Sequence, residues 1–178
     1  MAADYPPFLN SYGVVPHILA KILTVPVPER FSHEFLSHTL GFRRDADRPF
    51  VPLARRMGFL DADGRPTALY RRFHEGKQLS AILGEAIRNA FSQLYSRHDN
   101  VDQFDRKTLQ ALVAEITGLE PSHPSARAVV GTFLALKNFA TPDSSQTDAA
   151  LAPRVRKPPR TAREIRVEYF GLMLMLQK

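Results

Sequence analysis

The stretch that decides the fold is "RPFVPLARRMGFLDADGRPTALYRRF", residues 48–73. Its first part predicts a helix over 49–58, because Pro49 suits a first helical turn and apolar residues recur behind it at helical spacing. The Asp-Gly pair at residues 63–64 is a strong tight-turn signal between two short extended pieces, so it predicts a hairpin over 59–67. Thr67 then suits the N-cap of a further helix. The stretch therefore predicts helix, hairpin and helix in that order.

Two more helices are predicted before this stretch. "VVPHILAKIL", residues 14–23, places its apolar side chains on one side of a helix. "FSHEFLSHTLGF", residues 31–42, has a serine able to cap a helix and a glycine able to end it, which predicts a helix over 33–40. The resulting order of elements is that of a winged helix-turn-helix. In this interpretation the helices over 33–40 and 49–58 are the helix-turn-helix pair, and the hairpin is the wing.

A second, smaller helical unit is predicted after residue 76. "LSAILGEAIRNAFSQLYSR", residues 79–97, has the periodicity of one long amphipathic helix. Two further helices with a bend at Gly118 follow, again in a helix-turn-helix-like order. Because only a few cations lie on the last helix, packing or dimerisation is the favoured role of this unit.

Composition changes after residue 141. Proline, serine, threonine and charged residues indicate a flexible basic linker, and the apolar, β-prone end of the chain predicts a C-terminal β-strand that docks on a partner. The fold class is thus mainly α, with a winged helix-turn-helix, a helix-turn-helix-like unit, a linker and a strand. The predicted units are 1–76, 77–141, 142–163 and 164–178.

"SHEFLSH", residues 32–38, comes close to a zinc-protease signature. That signature places two histidines four residues apart, on one face of an α-helix. Here His33 and His38 are five apart, which separates them by roughly 140° on an α-helix. The prediction is a solvated helix face without a metal ion.

Other routes to chemistry are also missing from the sequence. "DADG", residues 61–64, does not fit a calcium loop, because Phe59 and Tyr70 would occupy its first and twelfth positions. There is no cysteine, no glycine-rich phosphate loop and no nucleophile-elbow motif. The sequence therefore predicts a protein that is not an enzyme and uses no cofactor.

The chain has 178 residues, of which 44% are hydrophobic. Its formal net charge of +6 favours a partner that carries negative charge. No apolar run approaches the roughly 20 residues of a membrane span, and the N-terminus lacks a signal-peptide pattern. We therefore expect a cytoplasmic protein with no membrane partner.

Arginine is concentrated in residues 43–72, which contain eight arginines and four aspartates. The guanidinium group suits both guanine edges and phosphates, so this cluster predicts binding of double-stranded DNA. The helix over 49–58 would enter the major groove, the hairpin would approach the minor groove or the backbone, and the flanking arginines would hold phosphates. The predicted DNA-binding residues are Arg43, Arg44, Arg48, Arg55, Arg56, Arg65, Arg71 and Arg72.

Two functions follow from these patterns. The first is a DNA-binding regulator, either of transcription or associated with mobile elements or defence. The alternative is a non-enzymatic protein-interaction or assembly module, in which the C-terminal strand adds to the sheet of a protein partner or of a second copy in a homodimer. In that alternative the arginines keep the surface soluble.

Several stretches carry a resemblance to a known family: "YPPFLNSYGVVPHILAKI" at 5–22, the decisive stretch at 48–73, "TLQALVAEITGLEPS" at 108–122 and "VVGTFLALKNFA" at 129–140. In combination they resemble an uncharacterised bacterial family classified only as a domain of unknown function. The resemblance spans roughly residues 5–141 and returns at the terminal strand. It implies a bacterial cytosolic protein with a winged-helix-like N-terminal half, and it implies no reaction.

Overall fold

Seven α-helices joined by short turns build residues 5–141, which are the residues that the computed structural model describes. The mainly helical fold class is thereby confirmed. The predicted linker at 142–163 and strand at 164–178 lie outside the described residues. The helices are α1 (Val15–Ile22), α2 (Phe50–Arg56), α3 (Ala68–His74), α4 (Leu79–Ala90), α5 (Ser92–Tyr95), α6 (Arg106–Thr117) and α7 (Pro124–Ala140). None of these helices is long and apolar enough to cross a membrane.

Short irregular turns complete the helical elements. Three are 3₁₀ turns, at Tyr12–Val14, Asp45–Asp47 and Val101–Gln103, and one at Phe35–Thr39 is a π-helical turn. The predicted helix over 33–40 is therefore present as a helical turn of mostly π character. Its carbonyl-to-amide hydrogen bonds reach five residues along the chain instead of four.

Residues 79–97 form two helices, where the sequence predicts one. The helix breaks at Phe91, whose φ of −113° and ψ of 30° lie outside the helical region. The Phe91 ring is completely buried and meets the ring of Phe133 edge-to-face at 5.3 Å. The apolar periodicity of the sequence would continue the helix through this position. We infer that the free energy gained by burying the Phe91 ring exceeds the cost of breaking the helix there.

Helix α7 is the centre of the core. It packs against α1, α4 and α6, and most of its length is buried. The N-terminal arm is attached to it at Leu9, which is fully buried and whose amide donates to the Thr132 hydroxyl at 2.9 Å. That hydroxyl in turn donates to the Ala128 carbonyl at 2.8 Å. The buried Thr132 hydroxyl therefore both accepts and donates a hydrogen bond.

One hydrophobic core runs through the described residues on both sides of residue 76. An aromatic series leads from Phe31 through Tyr70 and Phe59 to Phe73. The Phe73 ring lies 6.5 Å from that of Phe139 in α7. The core is continuous across residue 76, and the predicted division into a winged-helix-like domain at 1–76 and a helical domain at 77–141 stays a prediction.

A tight antiparallel turn occupies residues 59–67. Leu60 and Pro66 form an isolated bridge, and the described residues contain no β-strand on either side of it. The Asp61 carboxylate accepts hydrogen bonds from the amides of Asp63 and Arg65 at 2.9 and 2.8 Å. Gly64, with φ of +83°, directs its carbonyl to the Phe31 amide at 2.8 Å. This contact fixes the turn against the segment that precedes the π turn.

Removal of the side-chain hydroxyl should affect the stability of the protein differently at Tyr70 and Tyr95. Burial raises the pKa of both Tyr70 and Tyr95, so both are protonated at neutral pH. The Tyr70 hydroxyl is buried without a hydrogen-bond partner, whereas that of Tyr95 donates to Asp102 at 2.6 Å. We expect Tyr70→Phe to leave the free energy of unfolding unchanged or raise it by up to about 1 kcal/mol, and Tyr95→Phe to lower it by about 1 kcal/mol. Urea unfolding measures both, and the reverse order would contradict the assignment.

Replacement of glycine by alanine should change the stability of the protein in opposite directions at Gly64 and Gly84. The backbone of Gly64 has a positive φ, and a Cβ added there would lie 3.1 Å from the Phe31 carbonyl oxygen. A Cβ added at Gly84, inside α4, would meet no atom within 4 Å. Gly64→Ala should therefore destabilise by about 1–2 kcal/mol, because an L side chain is strained there. Gly84→Ala should stabilise by about 0.5–1 kcal/mol through helix propensity. Thermal unfolding of the two variants beside the wild type tests the contrast.

Candidate functional site

A shallow groove of about 430 Å³ lies between the π turn and the loop that leads into α2. We call it the basic groove. The loop contributes Arg43, Arg44 and Arg48, and Phe42 beside them. The helical turn contributes His33, Glu34, Leu36, Ser37 and His38. Three of the eight predicted arginines thus converge on one concave surface, together with both histidines of the "SHEFLSH" stretch.

The π turn explains why both histidines line this groove. The Leu40 amide donates to the Phe35 carbonyl at 3.1 Å, a hydrogen bond between residues five apart. In such a turn, residues five apart come round to the same side. Both histidines line the same groove, whereas a regular α-helix would separate them by roughly 140°. No group of three or more side chains able to hold a metal ion occurs within residues 5–141.

Arg44 is held in the groove by a buried carboxylate. Its Nε and one terminal nitrogen donate to the two oxygens of Asp47 at 3.3 and 3.2 Å. The Asp47 side chain is 1% exposed, while that of Arg44 is 67% exposed. A buried carboxylate needs such a partner to offset its desolvation. The pair therefore fixes the orientation of the guanidinium group, whose remaining N–H groups stay open to a ligand.

The other two groove arginines are less constrained. Arg48 lies 3.1 Å from the Asp45 carboxylate, and both side chains are mostly exposed. An ion pair of this kind contributes little stability, about 0–1 kcal/mol. Arg43 is exposed and has no partner among the described residues. Both guanidinium groups can turn towards a ligand at little cost.

Helix α2 extends the cationic surface beyond the groove. Four of its residues are buried, which leaves Pro52, Arg55 and Arg56 exposed. Arg48 and Pro49 have near-helical backbone angles, so Arg48 and Arg55 are two turns apart on one face, at about 10 Å along the axis. Arg56 instead donates to the Tyr5 carbonyl at 3.2 Å, on the side of the N-terminal arm.

The remaining predicted arginines do not line the groove. Arg65 is exposed on the tight turn, and Arg71 and Arg72 are exposed on α3. Arg72 lies 3.5 Å from Glu85 of α4. Arg30, which the sequence did not single out, donates from Nε to the Asp63 carbonyl at 2.7 Å and thus lies beside the turn. No local sequence signal identifies Arg30, since its partner is 33 residues away.

A family model described as "Family of unknown function (DUF5343)" matches residues 7–147 of the chain. No curated protein and no solved structure matches the chain. The match covers most of the chain, including the π turn, the basic groove and all seven helices.

Removal of the Asp47 charge tests how the groove is built. We expect Asp47→Asn to lower the free energy of unfolding by on the order of 1–3 kcal/mol, because Arg44 loses its bidentate acceptor. Asp45→Asn, which removes the exposed partner of Arg48, should change it by less than about 0.5 kcal/mol. Chemical denaturation of the two variants measures the difference. Equal effects would show that Asp47 does not hold the loop.

Proposed function

The chain belongs to this family of unknown function (DUF5343), which assigns it no activity, so we propose its function from its surface: it binds double-stranded DNA. The observation that carries the proposal is the convergence of Arg43, Arg44 and Arg48 on one groove, with Arg55 two turns along the same side of the adjoining helix. Guanidinium groups concentrated in this way are the footprint of a phosphate-binding surface.

In the proposed complex α2 lies in the major groove. Its seven residues span about 10 Å, so only Arg55 and its immediate neighbours reach base edges. The groove arginines hold phosphates of the adjacent backbone. The π turn and α2 then act as the helix-turn-helix pair, and the tight turn with Arg65 acts as a shortened wing. A cytoplasmic protein of bacterial origin fits this proposal.

Phosphate contacts outnumber base contacts in this arrangement. We therefore expect modest sequence preference and a strong dependence of affinity on salt. The pairing of Arg44 and Arg48 with aspartates lowers the net charge of the groove. The bidentate contact with Asp47 also pre-orients the Arg44 guanidinium group, which reduces the entropy lost when that group meets a phosphate.

A protein-interaction module is the second candidate. The observation that favours it is the set of ion pairs formed by three of the eight predicted arginines, Arg44, Arg48 and Arg72, with carboxylates of the same chain. Arginines paired in this way can serve solubility and local structure instead of a nucleic acid. Duplex binding by the full chain discriminates between the two candidates.

The test is fluorescence anisotropy of a mixed-sequence DNA duplex between 50 and 200 mM salt, at about neutral pH. Phosphate contacts from Arg43, Arg44 and Arg48 predict a slope of log affinity against log salt of about −3. Arg43→Ala should weaken binding and bring the slope about one unit closer to zero, whereas Arg55→Ala, which removes a base contact, should weaken binding with a smaller change of slope. Arg127→Ala is the matched control, because Arg127 is an exposed arginine on α7, away from the groove.

Two results would overturn the proposal. One is absence of duplex binding at the lowest salt concentration. The other is equal affinity of Arg43→Ala, Arg55→Ala and the Arg127→Ala control. Circular dichroism of each variant verifies that the helices are retained, which is expected because all three side chains are exposed.

A further inference from the structure

The basic groove offers more hydrogen-bond donors than a phosphate inside a DNA strand can use. A backbone phosphodiester has two free oxygens and one negative charge, and a sugar flanks it on both sides. The groove presents three guanidinium groups and two imidazoles around a concave surface. A phosphate monoester has three free oxygens and up to two charges near neutral pH, so it matches this donor set better.

Carboxylates of the same chain offset the positive charge of the groove arginines. Glu34 lines the groove, and Asp47 and Asp45 engage Arg44 and Arg48. These three carboxylates offset the charge of the three arginines. The site is therefore rich in N–H groups without a large uncompensated charge. Such a site recognises an anion through directed hydrogen bonds.

The size and the apolar part of the groove indicate a ligand larger than inorganic phosphate. A volume of about 430 Å³ lies within the range of small-molecule sites, about 300–1,000 Å³. Two apolar side chains, Leu36 and the half-buried Phe42, line it beside the cations. An aromatic ring next to a phosphate site is the arrangement on which a nucleotide base or sugar packs.

From these observations we propose that the basic groove binds the 5′-phosphate monoester of a nucleotide. The ligand is either the phosphorylated 5′ end of a DNA strand or a free nucleoside 5′-monophosphate. Arg43, Arg44 and Arg48 contact the phosphate, the two histidines donate to its remaining oxygens, and Phe42 packs on the attached nucleoside. For the DNA end, this inference rests on the proposed function.

The experiment compares two short duplexes of one sequence, which differ only in a 5′-phosphate or a 5′-hydroxyl at their ends. The full chain should bind the phosphorylated duplex about tenfold more tightly or better, since one set of charge-assisted hydrogen bonds is at stake. A closed circular DNA, which has no ends, measures the contribution of the backbone alone. A nucleoside 5′-monophosphate and the unphosphorylated nucleoside serve as competitors and distinguish a free nucleotide from a strand end.

Variants separate the groove from the helix. His33→Ala/His38→Ala should abolish the preference for the phosphorylated end while leaving binding of the hydroxyl-ended duplex nearly unchanged. Arg43→Ala should abolish the preference and also weaken binding of the hydroxyl-ended duplex, because Arg43 contributes to backbone binding in the proposed function. Arg55→Ala should weaken binding of both duplexes by the same factor and so preserve the preference. Since all these side chains are exposed, the fold is expected to survive each change.

Each outcome decides a different claim. Equal affinity for the two duplexes, with no competition by the monophosphate, overturns the monoester site and leaves the proposed DNA binding intact. Competition by the monophosphate, together with failure to bind circular or hydroxyl-ended DNA, supports the site and overturns the proposed function. A preference that persists in the histidine double variant and in Arg43→Ala overturns the assignment to this groove.

Discussion

Burial of α7 is the constraint on which the rest of the described structure depends. This helix, Pro124–Ala140, packs against α1, α4 and α6, and it receives the N-terminal arm through the Thr132 hydroxyl. The Tyr12 ring lies so close to Gly131 that a Cβ there would overlap it. The front part of the chain joins the same core through Phe73. The segments that carry the groove are thus fixed on a packed helical base.

On that base, the candidate site is built from irregular backbone. The π turn at Phe35–Thr39 buries Leu36, Leu40 directly after the turn is buried as well, and His38 and Thr39 are exposed. The 3₁₀ turn at Asp45–Asp47 turns one aspartate inward, where it fixes Arg44. Irregular turns of this kind are often found at functional sites, because they place side chains where a regular helix cannot. Here they bring histidines and arginines from separate segments to one surface.

The distribution of the arginines shapes the proposed function. A broad cationic plate would indicate non-specific attraction to DNA, whereas here three arginines enclose a concave site and a fourth extends it along α2. The other predicted arginines lie on α3, on the tight turn or beside the arm. We therefore favour recognition of a few adjacent phosphates by the groove, supported by a short helix, over an interface that follows a long stretch of duplex.

The sequence by itself determined the helical class, most helix positions and the tight turn. Those features depend on local chemistry: apolar spacing, the Thr67 cap, and glycines such as Gly64 where φ is positive. Only the tertiary structure decided the break at Phe91, the π turn, and the meeting of His33 and His38 with the arginines. A π turn is unfavourable by local propensity and is stabilised by burial against residues distant in sequence, which no spacing rule within one segment contains.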